Sequence, residues 1–272
     1  MKTNFHTHTL WCDGKSSTEE VVAAAIEKGF SAIGFSSHMA FPSQEPWELK
    51  LGDAGAYVSE IAALREKYAS RIEIFCGGEA DYIRGLTTPD RARYAAMGLD
   101  YLIGSLHTVV SSDGVSVSVD SSPEILFAGI RDGFGGSARK FIEAYFEQER
   151  EMLGFDFDVL GHPDLVCKFN SRHPYFDPRE SWYVRELELT AEKIAASGKI
   201  VEINTGAISR GWLDEAYPMP VFRDMLRARG VRFILSSDSH EASTVDCAFD
   251  RYADAEHYVP YPRADMQKGR CG

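Results

Sequence analysis

The sequence Asn4-Phe5-His6-Thr7-His8-Thr9 places two histidines, one residue apart, at the first of the short apolar runs along this chain. Side chains of an extended strand alternate between its two faces, so His6 and His8 should point to the same side. Two imidazoles on one side of a strand can bind one metal ion together. A single His-x-His motif is weak evidence, because histidines at strand ends are often ordinary surface or core residues. The hypothesis of a metal site therefore depends on further ligands along the chain.

Seven short apolar runs bounded by turn residues predict seven β-strands. The first begins at Phe5, and the others cover residues 30–35, 72–76, 101–106, 155–160, 200–203 and 231–235. Helical patterns lie between them, the clearest being the capping box Ser17-Thr18-Glu19-Glu20, which is followed by an apolar stripe and by Gly29 as terminator. This alternation predicts an α/β fold with parallel strands covered by helices. Seven such units favour a barrel over an open sheet.

Length and composition are those of an ordinary folded protein. The chain has 272 residues, of which 44% are apolar, and no linker or repeat divides it, so we expect residues 1–272 to form a single domain. A formal charge of −12 without a run of Lys and Arg argues against nucleic acid and anionic membranes as partners. A small phosphorylated ligand stays compatible with this charge, because bound divalent cations offset it locally. No feature indicates a protein partner.

Location and redox state follow from what the sequence lacks. It has neither an apolar signal core nor an apolar segment of about 20 residues, so we expect a cytoplasmic protein. The cysteines are odd in number and scattered, which predicts reduced thiols. Cys12 and Cys167 lie near candidate site residues, but we expect small bystander thiols there. The five cysteines are Cys12, Cys76, Cys167, Cys247 and Cys271.

Metal-binding side chains recur at the carboxyl ends of the predicted strands. Six of the eight histidines lie there, and only His173 and His257 do not. Scattered surface or core histidines would not select the same end of successive strands. Because the carboxyl ends of parallel barrel strands converge on one face, we expect these side chains to form a multi-metal site. The nine candidate ligands are His6, His8, Asp13, His38, Glu79, His107, His162, Asp238 and His240.

The order His-x-His, His, Glu, Ser-x-His, Gly-His and Asp-x-His resembles the polymerase and histidinol phosphatase (PHP) superfamily over almost the whole chain. Glu79 stands where the related amidohydrolase pattern has a lysine, so that superfamily fits less well. Four stretches are similar to the monofunctional histidinol-phosphate phosphatase branch: Gly78-Glu79-Ala80-Asp81-Tyr82, Lys168-Phe169-Asn170, Glu202-Ile203-Asn204-Thr205-Gly206 and Ser237-Asp238-Ser239-His240. The resemblance implies a distorted seven-stranded TIM-like (β/α)7 barrel with a trinuclear metal centre at the carboxyl ends of its strands.

The resemblance also implies how the ligands divide among three divalent ions. Glu79 would bridge two of the ions. All the donors are nitrogen or oxygen atoms, which suit zinc, manganese and iron equally. The three sets would be His6, His8, Glu79 and Asp238 for the first ion, Glu79, His107 and His162 for the second, and Asp13, His38 and His240 for the third.

The activity that the resemblance implies is hydrolysis of L-histidinol phosphate to L-histidinol and phosphate in histidine biosynthesis, by direct attack of a hydroxide that bridges the metal ions. Arg210 and Lys168 are the candidates for binding phosphate oxygens. Asp238 and His240 are candidate proton donors to the leaving group, although a ligand role competes with this one. Cys167 stands where the branch often has an arginine, and this departure bears on phosphate binding.

Two other functions stay open. One is a PHP-type phosphoesterase that acts on a nucleotide or sugar phosphate, and the other is a metal-binding domain without turnover, which is disfavoured because all nine positions carry competent ligands. Candidates for recognising the amine and imidazole of histidinol are Asp81, Tyr82 and residues 111–136, a Ser-, Gly- and Asp-rich interruption. An interruption of that length is about as often a plain surface loop as a lid or binding loop.

Overall fold

A sheet of parallel strands forms the centre of the computed structural model, which describes residues 2–40 and 45–252. The described strands are β1 (Thr3–Asn4), β2 (Ala32–Phe35), β3 (Glu73–Asp81), β4 (Tyr101–Ser105), β5 (Thr108–Val110), β6 (Ser116–Ser118), β7 (Val159–Leu160), β8 (Ile200–Asn204) and β9 (Phe233–Ser236). Strands β5 and β6 pair with each other as an antiparallel hairpin. The other seven are parallel and follow chain order across the sheet. Six of the seven predicted strands overlap a described strand, and β1 lies directly before the first one, which was predicted to begin at Phe5.

The two edges of this sheet, β1 and β9, meet and nearly close it as a barrel. Just past the two strands, Thr7 and Ser239 form a parallel bridge, and the His8 backbone N–H donates to the Ser239 carbonyl at 2.8 Å. Below it, the Asn4 side-chain amide donates to the Ser237 hydroxyl at 2.6 Å and accepts from the Ser237 backbone N–H at 3.3 Å. The prediction of a TIM-like barrel of parallel strands is confirmed. That residues 1–272 form one domain stays a prediction.

Helices cover the outside of the barrel. Ser17 caps the first of them, with its hydroxyl accepting from the Glu20 N–H and the Glu20 carboxylate accepting from the Ser17 N–H, and Gly29 follows with φ +75°, as the capping box predicted. No helix in residues 2–40 and 45–252 is both long and apolar enough to cross a membrane. The helices are α1 (Thr18–Glu27), α2 (Ala54–Lys67), α3 (Pro123–Phe134), α4 (Ala138–Met152), α5 (Ser181–Ser197), α6 (Gly206–Ser209) and α7 (Pro220–Ala228).

Aromatic rings fill the interior of the barrel. The ring of Phe5 packs edge-on against those of Phe75 and Tyr101, with centroids 5.5 and 5.6 Å apart. The Tyr101 hydroxyl donates to the Phe5 carbonyl at 2.6 Å, so this buried polar group is satisfied. Room for the Tyr101 ring comes from Gly34 and Gly77, where a Cβ atom would collide with it. A larger apolar layer lies between the sheet and the helices.

Three features differ from the sequence predictions. β1 ends at Asn4, before the two histidines, and β3 runs on to Asp81, so that Glu79 lies inside the strand rather than after it. Residues 111–136, expected to be a loop, hold β6 and the whole of α3. Their polar composition concealed a turn at Gly114, alternating residues in Ser116–Ser118 and a helix start with Pro123 in its first turn.

We expect Gly77→Ala to destabilise the protein by about 1–3 kcal/mol, because the added methyl group overpacks the barrel against the buried Tyr101 ring. Urea denaturation followed by circular dichroism measures the change. Gly55→Ala is the control. Gly55 lies in α2 with open space at its Cβ position, so alanine there should raise stability by about 0.5–1 kcal/mol. Equal midpoints for the wild type and Gly77→Ala would contradict this account of the barrel interior.

Candidate metal centre

All nine candidate ligands lie together at the carboxyl end of the barrel. Asp13 comes from the turn between β1 and α1, and Glu79 from β3 itself. The others follow strand ends: His6 and His8 follow β1, His38 follows β2, His107 follows β4, His162 follows β7, and Asp238 and His240 follow β9. The structure therefore brings together the residues that the strand-end pattern selected. Their role as ligands stays a prediction.

The carboxylate of Glu79 lies at the centre of the group and is buried. One of its oxygens, Oε2, is 3.1 to 3.4 Å from ring nitrogens of three histidines. The other, Oε1, is 3.1 and 3.5 Å from ring nitrogens of two more. The first three are His6, His8 and His38, and the other two are His162 and His107. No other acidic side chain among the described residues has five imidazoles around it.

Two further carboxylates flank this centre. Asp238 Oδ1 lies 3.5 Å from His8 Nε2 and 3.6 Å from His240 Nδ1. Asp13 Oδ2 lies 3.2 Å from His240 Nε2, and its Oδ1 lies 3.8 Å from His38 Nε2. The imidazoles of His8 and His240 are stacked, with centroids 4.2 Å apart. Carboxylates and imidazoles thus alternate across the whole cluster.

Within the described residues, three groups of these side chains are compact enough to hold a metal ion each. In every group one ligand atom per residue lies within 4.8 Å of all the others. The groups are His8, Asp13, His38 and His240; His6, His8 and Asp238; and His38, Glu79 and His107. They overlap at His8 and His38, whereas the resemblance assigned His8 and His38 to one set each.

The hydrogen bonding of the cluster fits a cation. Several of its atoms are buried and have no hydrogen-bond partner among the described residues, although they face one another at short distance. These atoms are His6 Nε2, His8 Nε2, His38 Nδ1 and Glu79 Oε2. A buried polar atom without a partner costs about 1–3 kcal/mol, and four in one place form an unstable arrangement unless a shared partner satisfies them. A metal ion is such a partner for imidazole nitrogen and carboxylate oxygen.

The charge states of several of these groups suit metal binding, whereas nearby carboxylates outweigh the effect of burial and raise the pKa of His6, His107 and His240, so a metal ion would displace protons from those rings. Burial, together with the nearby His240 and His38, lowers the pKa of His8 to about 3, so this imidazole is neutral at physiological pH. Burial alone would raise the pKa of Glu79, but the surrounding histidines hold it well below the usual value. For Asp238, burial is likewise outweighed, chiefly by Arg210, and its pKa is held low. Neutral imidazole and ionised carboxylate are the forms that bind metal.

Two buried carboxylates, Glu202 and Asp81, orient histidine rings by contacting the nitrogens that face away from Glu79. Glu202 Oε2 is 2.8 Å from His6 Nδ1, and Glu202 Oε1 accepts from the backbone N–H of His162 at 2.9 Å. Asp81 Oδ1 is 2.6 Å from His107 Nδ1. A carboxylate that accepts from one ring nitrogen fixes the tautomer, which leaves the other nitrogen free to bind a metal. For His6 and His107 that other nitrogen is Nε2, which faces Glu79.

Sequence reasoning missed the role of Glu202 and assigned Asp81 a different one. Glu202 stands inside an apolar strand, and an acidic residue in such a run was the signal for a buried partner. Asp81 was a candidate for substrate recognition, but it lies against His107 instead. Tyr82, the other such candidate, donates its hydroxyl to Glu151 and is not among the described residues that line the cavity over the site.

The backbone at two of the nine residues is strained. His162 has φ +21° and Asp238 has φ +48°, a region that residues other than glycine rarely adopt. Both follow directly on a barrel strand. Each of these conformations costs of order 1–3 kcal/mol and persists only where its surroundings hold it. Here hydrogen bonds from His162 N–H to Glu202 and from Arg210 to the Asp238 carbonyl do so.

A cavity of about 730 Å³ opens over the cluster, and the hairpin β5–β6 forms part of its wall. Both predicted phosphate-binding residues line it, and each is paired with a carboxylate. Lys168 Nζ donates to the Asp120 carbonyl at 2.8 Å and to Asp120 Oδ2 at 3.0 Å. Arg210 donates to Asp238 Oδ2 at 2.8 Å and to the Asp238 carbonyl at 3.1 Å. The cavity therefore holds positive charge beside the ligand cluster.

The remaining residues singled out in the sequence lie elsewhere. Cys12 Sγ is 3.4 Å from His8 Nδ1, and Cys167 Sγ is 3.3 Å from the Tyr183 hydroxyl. The four described cysteines are free thiols. His173 packs near Phe127, away from the ligand cluster. Cys271 and His257 lie outside the described residues.

A nearly closed parallel barrel with a cluster of imidazoles and carboxylates at the carboxyl ends of its strands defines a candidate metalloprotein. Residues 4–206 match the PHP domain family. The chain belongs to this family, as the order of its ligand motifs predicted.

Relatives in several organisms match nearly the whole chain. A Deinococcus radiodurans protein named "Probable histidinol-phosphatase" is 31% identical over 259 residues, covering 92% of this chain and 89% of that protein. A Schizosaccharomyces pombe protein of the same name is 30% identical, covering 88% and 81%. The solved structure of hisK from Listeria monocytogenes has a TM-score of 0.81 at 23% identity, covering 92% of this chain and 100% of that chain.

A second solved structure has ligands. It is the histidinol phosphate phosphatase of Lactococcus lactis, complexed with Zn, L-histidinol and phosphate, with a TM-score of 0.63 at 19% identity and coverage of 95% of both chains. At these identities, the two structures establish that the barrel fold is shared.

We expect Glu202→Gln to weaken metal binding by about 10- to 100-fold, because the amide no longer holds the His6 ring as a charged acceptor does. A zinc titration against a competing chelator measures the affinity. Glu192→Gln is the matched control, since this glutamate lies on α5 with 67% of its side chain exposed. Unchanged zinc affinity in Glu202→Gln would remove the orienting role of this carboxylate.

Proposed function

We propose that this protein is a metal-dependent phosphatase that hydrolyses L-histidinol phosphate to L-histidinol and phosphate. The observation that carries the proposal is the convergence of nine candidate ligands with nitrogen and oxygen donors, among them the buried carboxylate of Glu79, with several buried atoms that lack other partners. The names of the relatives that are 30 and 31% identical over nearly the whole chain support the substrate. The Lactococcus lactis structure supports both zinc and the histidinol moiety as ligands of this type of barrel.

The nine residues would hold three divalent ions, with Glu79 shared between two of them. Zinc, manganese and iron all suit the donor set. The cluster contains only three carboxylates, so three divalent ions would leave it with a net positive charge, which suits a phosphate dianion. When bound, the ions would activate a water molecule for attack on phosphorus and neutralise the phosphoryl oxygens.

The protein side chains would position the substrate and complete the charge balance. We place the phosphate next to Arg210 and Lys168, because both line the cavity. The planar guanidinium of Arg210 and the tetrahedral ammonium of Lys168 both donate hydrogen bonds that phosphate oxygens can accept. For the leaving oxygen, Asp238 and His240 are the candidate proton donors. Of the two, His240 is the more accessible, with 22% of its side chain exposed against 8% for Asp238.

The cellular setting is part of the same proposal. A histidinol-phosphate phosphatase acts in histidine biosynthesis, which is consistent with a cytoplasmic protein of a single domain that handles a small phosphorylated substrate. A nucleotide or sugar phosphate is the alternative substrate class, since the metal cluster itself recognises only the phosphate group.

The test combines metal analysis with phosphate release from a substrate panel. Protein as isolated should contain more than one equivalent of transition metal, and chelation should abolish phosphate release from L-histidinol phosphate until metal is restored. Glu79→Gln should lower the rate more than any other single ligand substitution, because it removes the negative charge that two ions would share.

The panel includes a nucleotide monophosphate, a sugar phosphate and an aryl phosphate. Faster turnover of one of the first two than of L-histidinol phosphate would reassign the substrate. Active protein with one equivalent of metal or none would overturn the three-ion site, and near-wild-type turnover by Glu79→Gln would overturn the shared carboxylate.

Arg210→Ala should lower kcat/KM by roughly 30-fold or more, because truncating one partner of a buried charged pair costs on the order of 2 to 5 kcal/mol. Lys168→Ala should do less, since Asp120 already takes part of its charge. For Arg210→Ala the loss should be equal on L-histidinol phosphate and on an aryl phosphate, which share the phosphate group.

Arg229→Ala, at the end of α7, serves as the control for removing a guanidinium. A loss restricted to L-histidinol phosphate would assign Arg210 to the histidinol moiety instead. No loss on either ester would exclude Arg210 from substrate binding.

A further inference from the structure

One carboxylate in the cavity wall stands apart from the ligand cluster. Asp120 follows β6 in the hairpin, and the hairpin is anchored to the metal site because Val119 N–H donates to the His107 carbonyl at 2.9 Å. Three other acidic residues of the cavity wall are candidate metal ligands, whose charge bound ions would neutralise. The only further one among the described residues is Glu45, which is exposed at the opening. Asp120, whose side chain is 29% exposed, is thus a carboxylate of the cavity wall that lies outside the candidate ligand groups.

Lys168 holds Asp120 in a fixed orientation. Its ammonium donates to both the carbonyl and Oδ2 of Asp120, and the Lys168 side chain is only 9% exposed. An ammonium has three N–H groups, so one remains for another acceptor. Among the hydrogen bonds of the described residues, Oδ1 of Asp120 has no partner. The partly buried ion pair therefore presents one free donor and one free acceptor to the cavity, side by side.

That pair of groups matches a particular kind of ester. A phosphate monoester of a β-amino alcohol carries an anionic phosphate and a cationic ammonium two carbons away from the ester oxygen. The free N–H of Lys168 can meet a phosphate oxygen, and the free oxygen of Asp120 can meet the ammonium. Hydrogen bonds between charged groups are the stronger kind and depend on both partners. An ester without the amine would leave Asp120 Oδ1 unpaired.

We propose that Asp120, held by Lys168, is the residue that selects phosphate esters of β-amino alcohols by binding their ammonium group. This inference rests on the proposed function for the site, and L-histidinol phosphate is an ester of this class. It assigns a specificity role to the hairpin and leaves the metal ligands out of amine recognition.

The experiment compares Asp120→Asn with the wild type on two esters that differ only in the amine, L-histidinol phosphate and 3-(imidazol-4-yl)propyl phosphate. We expect kcat/KM for the amine-bearing ester to fall about 10-fold or more, mainly through KM, and that for the amine-free ester to change less than about 3-fold. Asp113→Asn, at the exposed turn of the same hairpin, should match the wild type on both. Zinc content is measured for all three proteins.

The outcomes separate this inference from the proposed function. An equal loss on both esters, or a loss of zinc, would mean that Asp120 only positions Lys168 or His107, and no loss would also overturn the inference. If Glu45→Gln shows the amine-specific loss instead, the ammonium is bound at the cavity opening. A wild type that fails on L-histidinol phosphate refutes the proposed function alone, and O-phosphoethanolamine and ethyl phosphate then replace the first pair. A wild type that prefers the amine in neither pair overturns the inference.

Discussion

The buried carboxylate of Glu79, surrounded by five imidazoles, is the arrangement on which the carboxyl end of this barrel depends. An ionised carboxylate out of water is stable only when opposite charge or hydrogen-bond donors surround it. Protonated histidines can supply that charge, whereas a bound metal ion would supply it and leave the imidazoles neutral, so a cation is the natural complement. The other features of this end serve the same constraint. Glu202 and Asp81 fix which ring nitrogens face Glu79, and the unusual backbone at His162 and Asp238 turns those side chains inward.

Much of this arrangement could be predicted from the sequence, because apolar runs locate the strands and parallel strands end on one face. His107 and His162 could be placed in the site in this way before any contact was known. The extension of β3 past Glu79 could not be predicted, because Gly77-Gly78 has the composition of a turn. The two glycines make room for the Tyr101 ring and the Met39 side chain. The role of Glu202 could not be predicted either. Its partners, His6 and His162, are 196 and 40 positions away in the sequence, and periodicity carries no information about such pairs. Residues 111–136 were misread because their strand is short and mostly polar.

Two kinds of structure form the site: the barrel strands carry the candidate ligands, and the β5–β6 hairpin forms part of the cavity wall. The barrel strands position the nine candidate ligands, and main-chain pairing fixes the strands relative to one another. Such a scaffold tolerates less change than a surface loop does. The hairpin begins directly after His107, and its residues Thr108, Ser116 and Ser118 line the cavity. A change in β6 therefore alters the cavity wall without replacing any of the nine candidate ligands.

The junction between β1 and β9 has a consequence for how the chain is made. Thr7 pairs with Ser239, so the barrel cannot close until Ser239 has left the ribosome. Until then, β1 is an open edge with unpaired N–H and C=O groups, which neighbouring chains can join. The short length of β1, two residues, limits that exposure. The same junction carries candidate ligands on both sides, so metal uptake and closure of the barrel would occur together.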